Sequence, residues 1–61
     1  MLEYEIAHLY PNGDTLDRYA IHVEADLDEE WKAAIGALEP GETAVLYLNG
    51  VEVGRYVRAS D

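Results

Sequence analysis

The sequence predicts a small α+β domain of order ββαββ, in which a four-stranded antiparallel sheet carries one helix on one face. Three observations support this fold. A single segment has the period of an amphipathic helix, two pairs of alternating segments are each joined by Asn-Gly, and the 61 residues contain no linker or repeat. We therefore expect one domain that spans residues 1–61.

The helix is predicted near residues 27–38, where apolar residues recur on one stripe and charged residues lie outside it. The stripe consists of Leu27, Trp31, Ala34, Ile35 and Leu38. Because this stripe needs an apolar surface to cover, we expect it to pack on the sheet, with Trp31 as the anchor of the core. The other predicted core residues are Tyr4, Ile6, Ile21, Leu46 and Val53.

Both ends of the predicted helix carry residues suited to a helix terminus. Asp26 can accept hydrogen bonds from the amides of the first turn, and Glu29 can reach back to it as in a capping box. Asp28 is the alternative cap. Pro40-Gly41 is expected to stop the helix, because proline disfavours helical geometry in the preceding residue and cannot donate a backbone hydrogen bond.

The first hairpin is predicted from alternation in residues 2–10 and 15–25 around Asn12-Gly13. If Asn12-Gly13 forms a two-residue loop, apolar residues face one another on the inner side of the sheet. The inner pairs are Ile6 with Tyr19, Tyr4 with Ile21 and Leu2 with Val23, and the outer pairs are Glu3 with His22 and Ala7 with Arg18.

The second hairpin is predicted in residues 43–48 and 51–59 around Asn49-Gly50. A two-residue loop pairs Leu48 with Val51 and Leu46 with Val53 on the inner face. The outer face then holds Val45, Tyr47, Glu52, Tyr56 and Arg58. Gly54 can mark a bulge, which would exchange the faces of residues 55–58. The order of the strands is left open.

Charge is the unusual feature of the composition, because 13 acidic and four basic residues give a net charge of −9. This charge argues against direct binding to nucleic acid or to anionic lipid, and it favours solubility or a cationic partner. The N-terminal residues lack the basic and apolar regions of a secretion signal, and no apolar run approaches the length of a membrane span. We therefore expect a cytoplasmic protein.

Few residues are suited to catalysis or to metal binding. His8 is predicted to face Asp17 and His22 to face Glu3, but no cysteine occurs and no serine or threonine is placed beside either pair. The two histidines lie on opposite faces of one hairpin, so they cannot share a metal ion. We expect no enzymatic activity, no metal and no cofactor.

The strongest candidate for binding is a run of carboxylates where the first hairpin leads into the helix. Five acidic residues lie within seven positions, and two more lie on the first strand. They are Glu24, Asp26, Asp28, Glu29 and Glu30, with Glu3 and Glu5. Capping and the helix dipole account for two or three of the five, and a solvated surface is the alternative interpretation. With Glu3 and Glu5 on the strand, carboxylates could line one edge of the protein at spacings near the roughly 3.4 Å repeat of phosphates along a DNA strand.

In length, acidity and absence of cysteine, the whole chain resembles small phage-encoded inhibitors, especially the anti-CRISPR proteins, some of which imitate DNA. The resemblance lies in these overall properties and involves no signature motif. It implies that the partner is a basic nucleic-acid-binding protein, such as a CRISPR surveillance complex. It also implies competition with DNA for lysine and arginine side chains in the cytoplasm of the host.

An alternative is a dimerising or accessory interaction module that binds through the outer face of the sheet. Tyr47 and Tyr56, with Val45 beside them, are the candidate interface residues. A chain of this size is compatible with a monomer or a homodimer. Salt dependence separates the two hypotheses, because a DNA mimic loses its partner as salt rises and an apolar interface does not.

Overall fold

The computed structural model describes residues 3–22 and 24–60. These residues form the predicted ββαββ arrangement in one antiparallel sheet of four strands. The elements are β1 (Tyr4–Leu9), β2 (Thr15–Ala20), α1 (Leu27–Gly36), β3 (Thr43–Leu48) and β4 (Val51–Val57). The spatial order is β2-β1-β3-β4, so the two hairpins lie side by side and join through β1 and β3. The predicted pair Leu2 with Val23 lies outside the described residues.

The register of the first hairpin is confirmed over most of its length. Ile6 faces Tyr19, Ala7 faces Arg18 and His8 faces Asp17. Next to the turn, however, the register shifts and Leu9 faces Thr15. The inner and outer faces predicted for this hairpin are therefore correct from Glu5 to His8.

The predicted two-residue loop at Asn12-Gly13 is wrong. The Gly13 amide donates to the Tyr10 carbonyl at 2.9 Å, and the Tyr10 amide donates to the Asp14 carbonyl at 2.8 Å. A type I′ turn would need positive φ at both Asn12 and Gly13, but only Gly13 has it, at 93°. The proline ring at Pro11 holds a negative φ, which suits the second position of a four-residue turn from Tyr10 to Gly13.

The tip of the second hairpin is as predicted, but the pairing of β3 with β4 differs from the prediction. Asn49 and Gly50 both have positive φ, at 50° and 84°, as a type I′ turn requires, and Leu48 faces Val51. Beyond that pair, Tyr47 faces Glu52 and Leu46 faces Gly54, which leaves Val53 without an opposite residue. The predicted pair Leu46 with Val53 is therefore wrong, and the bulge suggested by Gly54 is present one residue earlier.

The helix begins as predicted and ends earlier. One oxygen of the Asp26 side chain accepts from the amides of Asp28 at 3.0 Å and Glu29 at 3.4 Å, so Asp26 is the cap and Asp28 is not. The helix ends at Gly36 instead of residue 38, and Ala37 is the C-terminal cap. Glycine has one of the lowest helix propensities, which explains why regular helix stops there before the proline is reached.

A tight turn returns the chain from the helix to β3. It is closed by a hydrogen bond of 3.0 Å from the Glu42 amide to the Glu39 carbonyl. Pro40 and Gly41 occupy its centre, and Gly41 has a φ of 86°, a value that suits glycine and strains other residues. Arg58 fastens this turn to the end of β4, because its guanidinium donates to the Leu38 carbonyl at 2.7 Å.

The sheet has a helix face and an open face, defined by the strand register. The helix face includes Tyr4, Ile6, His8, Tyr19, Ala44, Leu46 and Tyr56, and the open face includes Glu5, Ala7, Arg18, Val45, Tyr47, Glu52 and Arg55. On the two central strands, Ile6, His8 and Ala44 of the helix face are buried, with Ile6 and Ala44 at 0% exposure, whereas Tyr4 and Leu46 are half-buried.

The core differs from the predicted one in size and in composition. Its buried apolar residues are Ile6, Ala7, Ala34, Leu38, Ala44 and Val45. Trp31 is half-buried and is not the fully enclosed anchor that was predicted. Val53, another predicted core residue, is exposed because it is the extra residue of the bulge. The core is therefore small and lies mainly between the helix and the central strands β1 and β3.

Candidate protein-binding surface

Five carboxylates of the predicted site lie where the chain runs from β2 into the helix, and Glu3 precedes β1 at the same end of the sheet. There Tyr4, at the start of β1, faces Leu48 of β3. On its other side lies Ile21, the residue that follows β2, whose amide donates to the Tyr4 carbonyl at 2.8 Å. The chain then leads directly into the helix start. We call the group at this end the acidic surface. It consists of Glu3, Glu24, Asp26, Asp28, Glu29 and Glu30.

Each carboxylate of the acidic surface belongs to an exposed residue. The ion pairs within residues 3–22 and 24–60 are Arg18 with Glu5 and Arg55 with Glu52, and neither involves the acidic surface. One side-chain oxygen of Asp26 accepts the hydrogen bonds that cap the helix. The other carboxylates stand near the positive end of the helix dipole or outside the helix, where they are open to a cationic partner.

Hydrogen bonds of the backbone groups of Glu3 and Glu24 hold these two residues in place. The Glu3 amide donates to the Asn49 side-chain oxygen at 2.9 Å, and the Asn49 amide donates to the Glu3 carbonyl at 2.8 Å. The Glu24 amide donates to the His22 ring at 3.2 Å. The link between Glu3 and the second hairpin tip could not be found from sequence, because it depends on β1 lying beside β3.

Glu5 was predicted to join the acidic surface, and it lies on the open face instead. Its oxygen atom Oε2 is 3.1 Å from Nε of Arg18. The hydrogen bond and the charge of Glu5 raise the pKa of Arg18. Alternation places Glu5 on the face opposite to Tyr4 and Ile6, which explains why it points away from the helix side.

The open face contains a cation over an aromatic ring. The guanidinium carbon of Arg18 lies 4.5 Å from the centre of the Tyr47 ring. In the next row across the sheet, Arg18 and Arg55 flank Ala7 and Val45, which are 2% and 0% exposed although no helix covers this face. Long charged side chains therefore close off the small apolar residues of the open face.

Tyr47 and Tyr56 do not share a surface. Tyr47 lies on the open face opposite Glu5 and Glu52, whereas Tyr56 faces Ala44 and lies on the helix face. The bulge at Val53 is the cause, because one extra residue moves every later side chain of β4 to the other face. The predicted outer surface with both tyrosines is therefore wrong. The alternative indicated by Gly54, a bulge that exchanges the faces of residues 55–58, is the arrangement observed for Tyr56.

A polar pair lies on the helix face between β1 and β2. His8 is buried, and its Nε2 atom is 3.2 Å from the Tyr19 hydroxyl. Asp17, which was predicted as the partner of His8, accepts instead from the Arg18 amide. Partial burial raises the pKa of Tyr19, and the negative charges of Asp17 and Glu30 raise it further. The hydrogen-bond partner of the His8 Nε2 atom is therefore the Tyr19 hydroxyl and not a carboxylate.

Other kinds of site are not supported within the part of the chain that the structure describes. No group of three or more side chains there could hold a metal ion, and no helix there is long and apolar enough to cross a membrane. Comparisons of the chain with protein-family models, with curated proteins and with solved structures gave no match. The fold and the acidic surface therefore define this protein as a small acidic α+β protein with an open four-stranded sheet.

Proposed function

We propose that this protein is a small acidic inhibitor of the anti-CRISPR type, which binds a basic nucleic-acid-binding protein complex in place of DNA. The observation that carries this proposal is the acidic surface, a set of exposed carboxylates outside the ion pairs of the described residues. Bound there, the protein blocks access of target DNA to the complex. No catalytic step is involved.

The distribution of charge supports DNA mimicry over simple solvation. The Arg18 and Arg55 side chains lie on the open face, where Glu5 and Glu52 pair with them. The carboxylates of the helix start lie outside these two ion pairs. A DNA-binding channel holds lysines and arginines for phosphates, and a dense set of carboxylates can engage the same side chains.

Helix capping alone does not account for the acidic surface. Asp26 is the cap, and Asp28, Glu29 and Glu30 in the first turn are favoured by the helix dipole. Glu3 and Glu24 lie outside the helix, so neither effect requires an acidic residue at these two positions. They extend the negative surface beyond what the fold needs.

Charge reversal tests the proposal. The triple variant Glu24→Lys, Asp28→Lys and Glu30→Lys leaves the Asp26 cap intact, and circular dichroism establishes whether it folds. We expect the folded variant to lose inhibition of DNA binding in assays against a panel of purified CRISPR surveillance complexes. If it inhibits a complex as well as the unaltered protein does, the acidic surface is not the binding site.

A second candidate function is self-association through the edge strand β4. Four apolar residues of this strand are exposed, namely Val51, Val53, Tyr56 and Val57. The one acid and one base of the strand, Glu52 and Arg55, pair with each other at 2.9 Å, so the strand is locally neutral in a highly charged protein. A second copy could therefore approach along β4 with little charge repulsion.

The oligomeric state tests this second function. Sedimentation velocity across a range of protein concentrations should show a dimer that persists at high salt, because an apolar contact is not screened. The variant Val53→Lys should shift the protein to the monomer without unfolding it, since Val53 is 54% exposed. A monomer at every concentration would rule out self-association.

A further inference from the structure

We propose that Asn49 is a site of spontaneous modification, where its side-chain amide is converted to a carboxylate through a cyclic imide formed with Gly50. The inference is independent of the proposed function. It starts from two Asn-Gly pairs in one chain, at residues 12–13 and 49–50, whose surroundings in the structure differ.

The reaction needs only water and the residues present. The backbone nitrogen of Gly50 loses its proton and attacks the Cγ atom of Asn49, which forms a C–N bond. The bond from Cγ to Nδ2 breaks, and that nitrogen leaves as ammonia with the added proton. Water then opens the ring at one of its two carbonyl carbons, which yields aspartate or isoaspartate. Glycine favours the attack because it has no side chain to crowd the ring.

The surroundings of Asn49 assist this attack. The Glu3 amide donates to its side-chain oxygen at 2.9 Å, which is the oxygen that becomes negative when the Gly50 nitrogen adds to Cγ. A backbone donor aimed at a developing oxyanion lowers the barrier of an acyl-transfer step. Within residues 3–22 and 24–60, no backbone carbonyl accepts a hydrogen bond from the Gly50 amide, the nitrogen that attacks Cγ.

Asn12-Gly13 provides a comparison within the same chain. The Asn12 side-chain oxygen also accepts a backbone hydrogen bond, from the Asp14 amide at 2.9 Å. The Gly13 amide, however, donates to the Tyr10 carbonyl at 2.9 Å. The Asn12 side-chain nitrogen donates to the Asp14 carboxylate at 3.2 Å, which places a negative charge beside the group that must itself become negative. Asn49 should therefore react faster than Asn12.

Modification of Asn49 would change the acidic surface. An aspartate at this position adds a carboxylate beside Glu3. An isoaspartate adds one backbone atom to a two-residue turn, which disrupts the bond of 2.8 Å from the Asn49 amide to the Glu3 carbonyl. The two products therefore affect the fold differently, and an isoaspartate-specific methyltransferase distinguishes them.

The folded chain of 61 residues is the substrate of the test. It is incubated in mildly alkaline buffer prepared with heavy-oxygen water, and mass spectrometry of proteolytic peptides follows label entry at both asparagines. We expect Asn49 to react faster than Asn12 by roughly 2- to 10-fold, the effect of one hydrogen bond. In urea the two rates should converge, because both pairs then have the same local chemistry.

Two variants sharpen the result. Asn12→Asp leaves Asn49 as the single Asn-Gly pair and should not change its rate. Glu3→Pro removes the donor to the Asn49 oxygen and should slow the reaction at Asn49 while Asn12 is unchanged. A native protein in which Asn12 reacts as fast as Asn49 or faster, or in which neither reacts, would overturn the proposal. An unchanged or faster rate in Glu3→Pro would refute the role given to Glu3.

Discussion

At the scale of single residues, Asp26 shows how one carboxylate can serve the fold while its neighbours remain free. One of its oxygens satisfies two amides of the first helical turn. Asp28, which was the alternative cap, makes no such bond in the described structure and interacts with the helix only through the dipole. The roles of two acidic residues two positions apart therefore differ.

This difference predicts unequal costs of substitution. Asp26→Ala should lower the free energy of unfolding by about 0.5–2 kcal/mol, because two amides lose their acceptor. Asp28→Ala should cost less, about 0.3–1 kcal/mol, because only the dipole interaction is lost. Urea denaturation followed by circular dichroism measures both values. Equal costs for the two variants would contradict the assignment of the cap.

The raised pKa of Tyr19 predicts that the fold loses stability at high pH. Its pKa is raised in the folded protein, first by burial and then by the charges of Asp17 and Glu30. As pH rises above the ordinary tyrosine value of about 10, the unfolded chain loses this proton while the folded chain retains it, so unfolding becomes more favourable. Ultraviolet titration of phenolate ionisation, compared with Tyr19→Phe, should show one tyrosine that titrates late. If that difference is absent, Tyr19 is not perturbed.

At the scale of elements, the helical period of one segment, the alternation of four others and the Asn-Gly turns were sufficient to predict five elements and most of the register. Ile6 opposite Tyr19 and Leu48 opposite Val51 follow from side-chain period and turn chemistry alone. Pro11 altered the first loop, and the bulge at Val53 altered the second strand pair. Both are single-residue irregularities, and alternation alone cannot locate them because it is preserved on either side.

The bulge predicts that two apolar residues of the proposed core contribute very differently to stability. Ile6→Ala should cost about 2–5 kcal/mol, because Ile6 is 0% exposed and a cavity would remain. Val53→Ala should change the free energy of unfolding by no more than about 0.5 kcal/mol, because its side chain is largely in water. Denaturant midpoints compare the two. A large cost at Val53 would show that it packs in the core as alternation alone suggests.

At the scale of the whole molecule, strand order determines which charges meet. The order β2-β1-β3-β4 brings Glu3 beside Asn49 and Arg18 beside Tyr47. Local pattern does not encode this order, since several orders satisfy the same alternation. The acidic run could be predicted from sequence, and alternation along β1 already places Glu5 on the open face. The contact between Glu3 and Asn49 could not be predicted, because it depends on β1 lying beside β3.

The net charge of −9 predicts that salt stabilises the fold. Unpaired like charges repel in the compact state, and added salt screens that repulsion. The urea midpoint should rise with moderate sodium chloride, and it should rise less in the triple variant Glu24→Lys, Asp28→Lys and Glu30→Lys. An equal rise in both proteins would mean that the acidic surface is not the main source of the repulsion.

Competition with DNA at increasing salt tests the central claim most directly. Glu24→Lys and Glu39→Lys make the same change in charge at exposed positions outside the helix, but only Glu24 belongs to the acidic surface. For a surveillance complex that the unaltered protein inhibits, we expect Glu24→Lys to weaken displacement of DNA strongly at low salt, with a difference that shrinks as salt rises. Glu39→Lys should displace DNA nearly as well as the unaltered protein. If the two variants lose inhibition equally, or if neither does, the acidic surface does not act as a substitute for DNA.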